Sequence, residues 1–409
     1  MSLPWFQSLF AERIGGAKYG QGTAIYKFEK IKRAKRQALA QFPHRSLLDF
    51  GIGENDDMAD ARVRETLLKE ANKVENRGYA DNGIAEYKEA AARFMLREFG
   101  VKLDPATEIN HCIGTKPAYA MLPAVFINPG DVTLLTVPGY PVAGTHTCYY
   151  GGEVYPLPLL KENNFYPDLR SVPTEIARRA KLLVINYPNS PTGQVATRDF
   201  YREVIEFAHR HQVVVVQDAA HILLSYRSKP LSFLEVDGAR EVGVEVHSMS
   251  KGFNMIGWRM GFVAGHERIV RAFADVKDNS DSGQFMAIQK AAAYALDQPD
   301  IPLAIKAKYQ RRLEKLVDTL KSVGFDASMP GGTYFLYVKA PKGCNHRAFV
   351  DAEDVSQFLI TNLSLCCVPW DEAGPYLRFS VTYSAASEAE EDELMKITRE
   401  RLNSLELEF

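Results

Sequence analysis

Four short runs of β-branched and aliphatic residues occupy the middle of the chain: VTLLTV (Val132 to Val137), KLLVIN (Lys181 to Asn186), VVVVQD (Val213 to Asp218) and VEVHSM (Val244 to Met249). Continuous apolar runs of this length suit parallel strands covered on both faces. Helical patterns lie between them, DFYREVIEFAHRH being the clearest, and supply the crossovers that parallel strands require. The expectation is a doubly wound, mostly parallel α/β domain. After about residue 296 the pattern changes to a long charged amphipathic helix, IKAKYQRRLEKLVDTLKSVGF, followed by fewer strands interleaved with helices, which suits a smaller α+β unit. With 409 residues, 46% hydrophobic and 24% charged, two cores are affordable. The expected division is a large domain over 48–295 and a small domain formed by 1–47 together with 296–409.

Several classes of function fall away. A formal net charge of −2 with no charge blocks lacks the basic stripe of a nucleic-acid binder. No apolar run approaches the roughly 20 residues that span a bilayer. The N-terminus has neither a basic leader nor a small-residue cleavage site, so it reads as mature protein and a cytoplasmic location is expected. Five cysteines, odd in number and without CxxC spacing, read as free thiols, and no metal site is expected.

In open α/β sheets ligands bind beyond the carboxyl ends of the strands, and polar residues follow the apolar runs there. Lys251 closes the last run, flanked by Ser248 and Ser250 and followed by Gly257, Arg259 and Gly261. Burial at a strand end favours a neutral, imine-forming amine, and two serines with an arginine suit a phosphate dianion; a surface lysine in a Ser/Gly loop is the plain alternative. Asp218 follows five apolar residues, so it needs a cation, either a protonated ring nitrogen or a basic core residue. GTKPAY offers the free N–H groups of Gly114, Thr115 and Lys116 at a helix start, an anion site. NYPNSPTG is a proline-stiffened turn that could present the amide of Asn189 to a ring oxygen, or a simple loop. Arg378, among aromatic and apolar residues in YLRFSVTY, implies a carboxylate partner from a substrate or from the protein itself.

Together, NYPNSPTG, VVVVQDAAH, SMSKGFNMIGWRMG and YLRFS resemble, in order and spacing, the fold-type-I aminotransferases related to aspartate aminotransferase, over nearly the whole chain. The resemblance implies pyridoxal 5′-phosphate held as an imine on Lys251, with Asp218 on the pyridine nitrogen, Asn189 or Ser190 near the ring hydroxyl, and Thr115, Lys116, Ser248, Ser250 and Arg259 on the phosphate. It places the α-carboxylate on Arg378, stacks Tyr140 on the ring, and brings the Gly53 backbone to the substrate carboxylate. Tyr79 resembles the tyrosine contributed to a second copy's phosphate, which implies a homodimer with shared sites.

Three departures stand out: Ser190 precedes PTG where asparagine is usual, His221 replaces the tyrosine after the aspartate, and the turn from Tyr79 to Gly83 is one residue shorter than the common form. GTAIYKFEKI, LDFGIGEND and GTKPAY are further similar to the LL-diaminopimelate aminotransferases. That narrower resemblance implies amino transfer between glutamate and tetrahydrodipicolinate, in lysine and cell-wall precursor synthesis, with Tyr26 closing the site. Glu54 or Asp81 could meet a distal ammonium, although solvated loop carboxylates are the favoured reading of both. Other outcomes on the same fold remain open at this stage: aspartate, alanine or aromatic amino-acid transamination, C–S bond elimination, or the effector-binding part of a regulator.

Overall fold

The computed structural model describes residues 4–21 and 27–409. Seven strands form the large sheet: β1 Ile109–Cys112, β2 Val132–Val137, β3 Glu153–Pro158, β4 Ala180–Asn186, β5 Val214–Asp218, β6 Gly243–Ser248 and β7 Gly261–Gly265. The helices used below are α1 Lys27–Gln41, α2 Thr115–Phe126, α3 Arg198–His211, α4 Asp300–Ser322, α5 Ala352–Leu363 and α6 Glu388–Asn403. The sheet order is β1-β7-β6-β5-β4-β2-β3; β7 pairs antiparallel with β1 and β6, and the remaining pairs are parallel.

The four apolar runs become β2, β4, β5 and β6, nearly every residue of which is buried. The three other strands carry weaker signals for separate reasons. β3 is an edge strand with a single fully buried residue, β1 contains the buried polar residues Asn110 and His111, and β7 is short and bounded by glycines. Those glycines are steric: a Cβ at Gly261 would lie 2.5 Å from the His247 carbonyl oxygen, and one at Gly265 2.6 Å from that of Gly243.

α3 shows why the crossover segments fold as they do. Thr197 caps its N-terminus by accepting from the Phe200 N–H at 3.1 Å. Phe200, Tyr201, Val204, Ile205, Phe207 and Ala208 line its buried side at helical spacing, and His209, Arg210 and His211 lie where the helix dipole favours positive charge.

A second, antiparallel sheet runs β9-β10-β8, from β8 Phe335–Lys339, β9 Val368–Trp370 and β10 Tyr376–Ser380. Its Arg378 lies opposite Tyr337 on one side and Val368 on the other. The short strand Leu48–Asp49 pairs in parallel with Leu365–Cys366, and the chain then enters the segment 51–57, which faces both sheets.

A buried ion network anchors that segment. Asp56 accepts from Lys308 at 2.8 Å, Tyr309 at 3.1 Å and the fully buried Arg312 at 3.0 Å, all on α4. Arg312 also donates to Glu391 on α6 at 2.7 Å and to the carbonyls of Val381 and Tyr383, so its charge and several of its donors are satisfied. Among the described residues no helix is long and apolar enough to cross a membrane.

Candidate active site

The carboxyl ends of β4, β5 and β6 converge with the segment 51–57 and with β8 and β10. Ser248 ends β6, and its hydroxyl accepts from the Ser250 N–H at 3.1 Å, starting the single helical turn that carries Lys251. Lys251 Nζ donates to the Gly53 carbonyl at 2.8 Å. Its main-chain carbonyl accepts from Asn55 Nδ2 at 2.8 Å, so one segment holds the lysine at both ends. Desolvation pushes the amine down to about 8; Glu54 opposes the shift, while the positive charges of Arg378 and Arg259 add to it.

Asp218, at the end of β5, is 6% exposed and accepts from the Ala220 N–H at 2.9 Å. No lysine or arginine pairs with it among the described residues. Burial raises its carboxyl to about 6. The buried Tyr119 hydroxyl and the ring of Tyr140 line a narrow cleft beside it.

At the start of α2, Gly114 has φ +72° and ψ 169°, and a Cβ there would sit 2.3 Å from Arg259 Nη2. Glycine is therefore what lets the guanidinium approach the helix N-terminus, where the N–H groups of Thr115 and Lys116 also lie. Arg259 holds φ +55° and donates to the Ile256 carbonyl at 2.9 Å, and no carboxylate pairs with it among the described residues.

Arg378 is buried and likewise has no carboxylate partner among the described residues. It reaches the Gly51 carbonyl at 3.5 Å and lies 4.1 Å from the centroid of the Phe335 ring, and its Nε makes no hydrogen bond. Desolvation lowers its pKa to about 10. Gly53 is close by: a Cβ there would lie 4.0 Å from Arg378 Nη2 and 4.0 Å from the Phe335 ring.

Geometry bears on two residues that the sequence left open. The Asn189 side chain is fully buried and turned into its own loop: its oxygen accepts from the Thr192 N–H at 3.1 Å and the Thr192 hydroxyl at 2.8 Å, and its nitrogen donates to the Pro138 carbonyl at 3.4 Å. Asn189 thus braces the turn, and the hydroxyl at this edge of the site belongs to Ser190. Asp81 is exposed, and its main-chain carbonyl accepts from the buried Lys277.

His221 is buried as the neutral imidazole, because desolvation first, then Lys251 and Arg378, push its pKa well below the usual value; its Nδ1 has no partner. Tyr140 is 40% exposed at the mouth of the site, Tyr79 is 83% exposed, and Glu54 is exposed. Tyr26 lies outside the described residues. Sequence reasoning missed Tyr334, Asn55, Tyr119 and Asn186. Asn186 stood within the quoted NYPNSPTG turn; it accepts from the Ser190 N–H at 2.9 Å and donates to the Asp218 carbonyl at 3.1 Å, joining two strand ends.

Comparison with known proteins decides the family. The model for "Aminotransferase class I and II" matches residues 45–397. This chain belongs to that family. The aminotransferase is 55% identical to an LL-diaminopimelate aminotransferase of Methanocaldococcus jannaschii and 52% identical to one of Methanococcus maripaludis, each match covering 99% of both chains. The solved structure of BacF from Bacillus subtilis with substrate bound superposes with a TM-score of 0.86 at 28% identity, covering 97% of this chain and 98% of that one. Membership implies use of pyridoxal 5′-phosphate, and the residues fit it. A Gly-opened cradle with an uncompensated Arg259 suits a phosphate, the unpaired Asp218 suits a ring cation, and the amine of Lys251 is held largely out of water.

Proposed function

We propose that this aminotransferase carries pyridoxal phosphate on Lys251 and transfers an amino group between glutamate and tetrahydrodipicolinate, with LL-diaminopimelate as the product of amination. The observation that carries the transamination reading is Arg378, a buried guanidinium with no carboxylate partner among the described residues, beside a lysine whose amine burial pushes down to about 8. A substrate α-carboxylate supplies the missing anion in the bidentate form that a guanidinium favours. The choice of acceptor is supported by the two relatives that match from end to end and bear that name.

In this reading Gly114, Thr115, Lys116, Ser248, Ser250 and Arg259 hold the phosphate and Tyr140 covers the ring. Asp218 holds the ring nitrogen in its protonated form, while His221 and Ser190 face the ring hydroxyl. When bound, the cofactor provides the electron sink for the substrate's Cα–H bond. Arg378 fixes the carboxylate and so orients Cα, while the Gly53 backbone bounds the space for that carboxylate. With the cofactor bound, Lys251 would hold it and, once free, its Nζ would take the α-proton and pass it to a carbon of the cofactor, so that the amine ends as it began; burial brings that amine down to about 8, closer to neutral pH than an ordinary lysine. Tyr79 is exposed because it serves the site of a second copy, so the working unit is a homodimer. We assign 48–295 to the cofactor-binding domain, 1–47 with 296–409 to the small domain, and the enzyme to the cytoplasm.

A half-reaction screen tests the proposal by following the cofactor's absorbance change with glutamate, LL-diaminopimelate, aspartate, alanine and aromatic amino acids in turn. Rapid conversion by glutamate and LL-diaminopimelate is expected. Conversion by aspartate or an aromatic amino acid with none by LL-diaminopimelate overturns the substrate assignment and leaves transamination standing.

A further inference from the structure

The carbonyls of residues 51, 52 and 53 are each met by a side chain: Gly51 by Arg378 at 3.5 Å, Ile52 by the Thr382 hydroxyl at 3.2 Å, and Gly53 by two donors at once. Those two are Lys251 Nζ at 2.8 Å and the Tyr334 hydroxyl at 2.7 Å. Tyr334 is fully buried and cannot swing. Its ring packs against His221 at 5.2 Å, Tyr309 at 5.3 Å and Phe335 at 4.7 Å between centroids, and its main-chain carbonyl accepts from the Val381 N–H at 3.1 Å. The carbonyl it meets is equally fixed, since Asn55 and Asp56 tie the same segment to the Lys251 main chain and to α4.

A carbonyl oxygen has two lone pairs. We propose that Tyr334 is a positioning residue for Lys251: its hydroxyl fills one lone pair of the Gly53 carbonyl, leaving the amine a single resting place and favouring its neutral form. The physical cause is the direction of the O–H dipole. Its positive end points at the oxygen that the amine also uses, so it weakens that oxygen as an acceptor for an ammonium and faces the ammonium with like charge. Glu54 on the same segment, Arg378 from β10, Arg259 beyond β6 and the neutral His221 beyond β5 also face the amine, and a change confined to the Tyr334 hydroxyl leaves all of them in place. The inference deepens the transamination reading and rests on it, because the position of the freed amine matters only if Lys251 carries the proton.

The test uses full-length enzyme converted to the aminated form of the cofactor, in which Lys251 is free. Carbamylation of Lys251 by cyanate is followed across pH by peptide mass spectrometry. Tyr334→Phe is expected to move the labelling midpoint up by about half a pH unit, and to lower kcat several-fold with the amino donor's KM unchanged. Replacing Tyr334 by 3-fluorotyrosine, a stronger donor of the same shape, is expected to move the midpoint down. A midpoint unmoved by Phe, or moved the same way by both replacements, overturns the role of Tyr334, whatever either change does to melting temperature. Borohydride trapping of the cofactor in the unaltered enzyme separates the two levels. A trapped Lys251 with an unmoved midpoint removes only the Tyr334 inference, and a Lys251 that is never trapped removes the transamination reading and the inference together.

Discussion

Asp218 sits at the end of an apolar strand, accepts from the Ala220 N–H, and has no lysine or arginine paired with it among the described residues. Its carboxyl is raised from 3.8 to about 6 by burial, so between these values the folded chain binds a proton that the unfolded chain has released. Stability without cofactor is therefore lost as pH rises through that window, the reverse of an ion-paired aspartate. We expect cofactor-free Asp218→Asn to exceed the unaltered chain in stability at pH 7 by about 3 kcal/mol, and the gap to close below about pH 4. Urea midpoints at the two pH values measure it, and a gap that does not change with pH contradicts this account. Lys251, Asp218 and Arg378 were legible in the sequence for this very reason: charged residues inside or at the end of apolar runs violate burial unless chemistry compensates. Tyr334 was not legible. It is an aromatic residue at a strand start, and its significance comes from a hydroxyl meeting a carbonyl 281 positions earlier in the chain. The choice between Asn189 and Ser190 stayed open in the sequence because spacing locates a turn but does not say which way each amide in it points.

At the scale of elements, the start of α2 and the loop after β6 form the cradle jointly, and Gly114 is where they meet. Its φ of +72° with ψ of 169° lies in a region that side-chain-bearing residues enter at a cost of about 1–3 kcal/mol, and the added carbon would also displace Arg259. Gly114→Ala is expected to weaken cofactor affinity by at least about tenfold, roughly 1.4 kcal/mol, with the far-ultraviolet circular dichroism unchanged. A fluorescence titration with pyridoxal phosphate checks this, and unaltered affinity argues against a phosphate at this point. The elements themselves divide by the strength of their pattern. Strands buried on both faces wrote themselves as apolar runs, and α3 as a periodic stripe between capping and dipole signals. β1, β3 and β7 did not, because an exposed edge, buried polar residues and steric glycines each break the run.

For the whole molecule, Tyr79 is 83% exposed and Met58, Leu68 and Val74 are 70%, 68% and 73% exposed, side chains of the kind that a second copy would cover. The homodimer reading predicts that Lys251→Ala and Tyr79→Phe homodimers are both impaired, while hybrids of the two regain one complete site. Turnover measured after mixing and subunit exchange reports this, and no recovery in verified hybrids rules out a shared site. The sequence by itself determined the fold class, the strands that form the centre of the large sheet and the charged residues that interrupt or end apolar runs, because each is written in local periodicity or in a local breach of it. The tertiary structure alone decided which side chains share an acceptor, which amide faces inward, and how the segment 51–57 joins Arg378 to Lys251. The contacts of segment 51–57 with Lys251, Tyr334 and Arg378 span 196 to 327 residues, over which no local pattern extends, and the Asn189 amide is turned by contacts 3 and 51 residues away whose direction spacing does not fix.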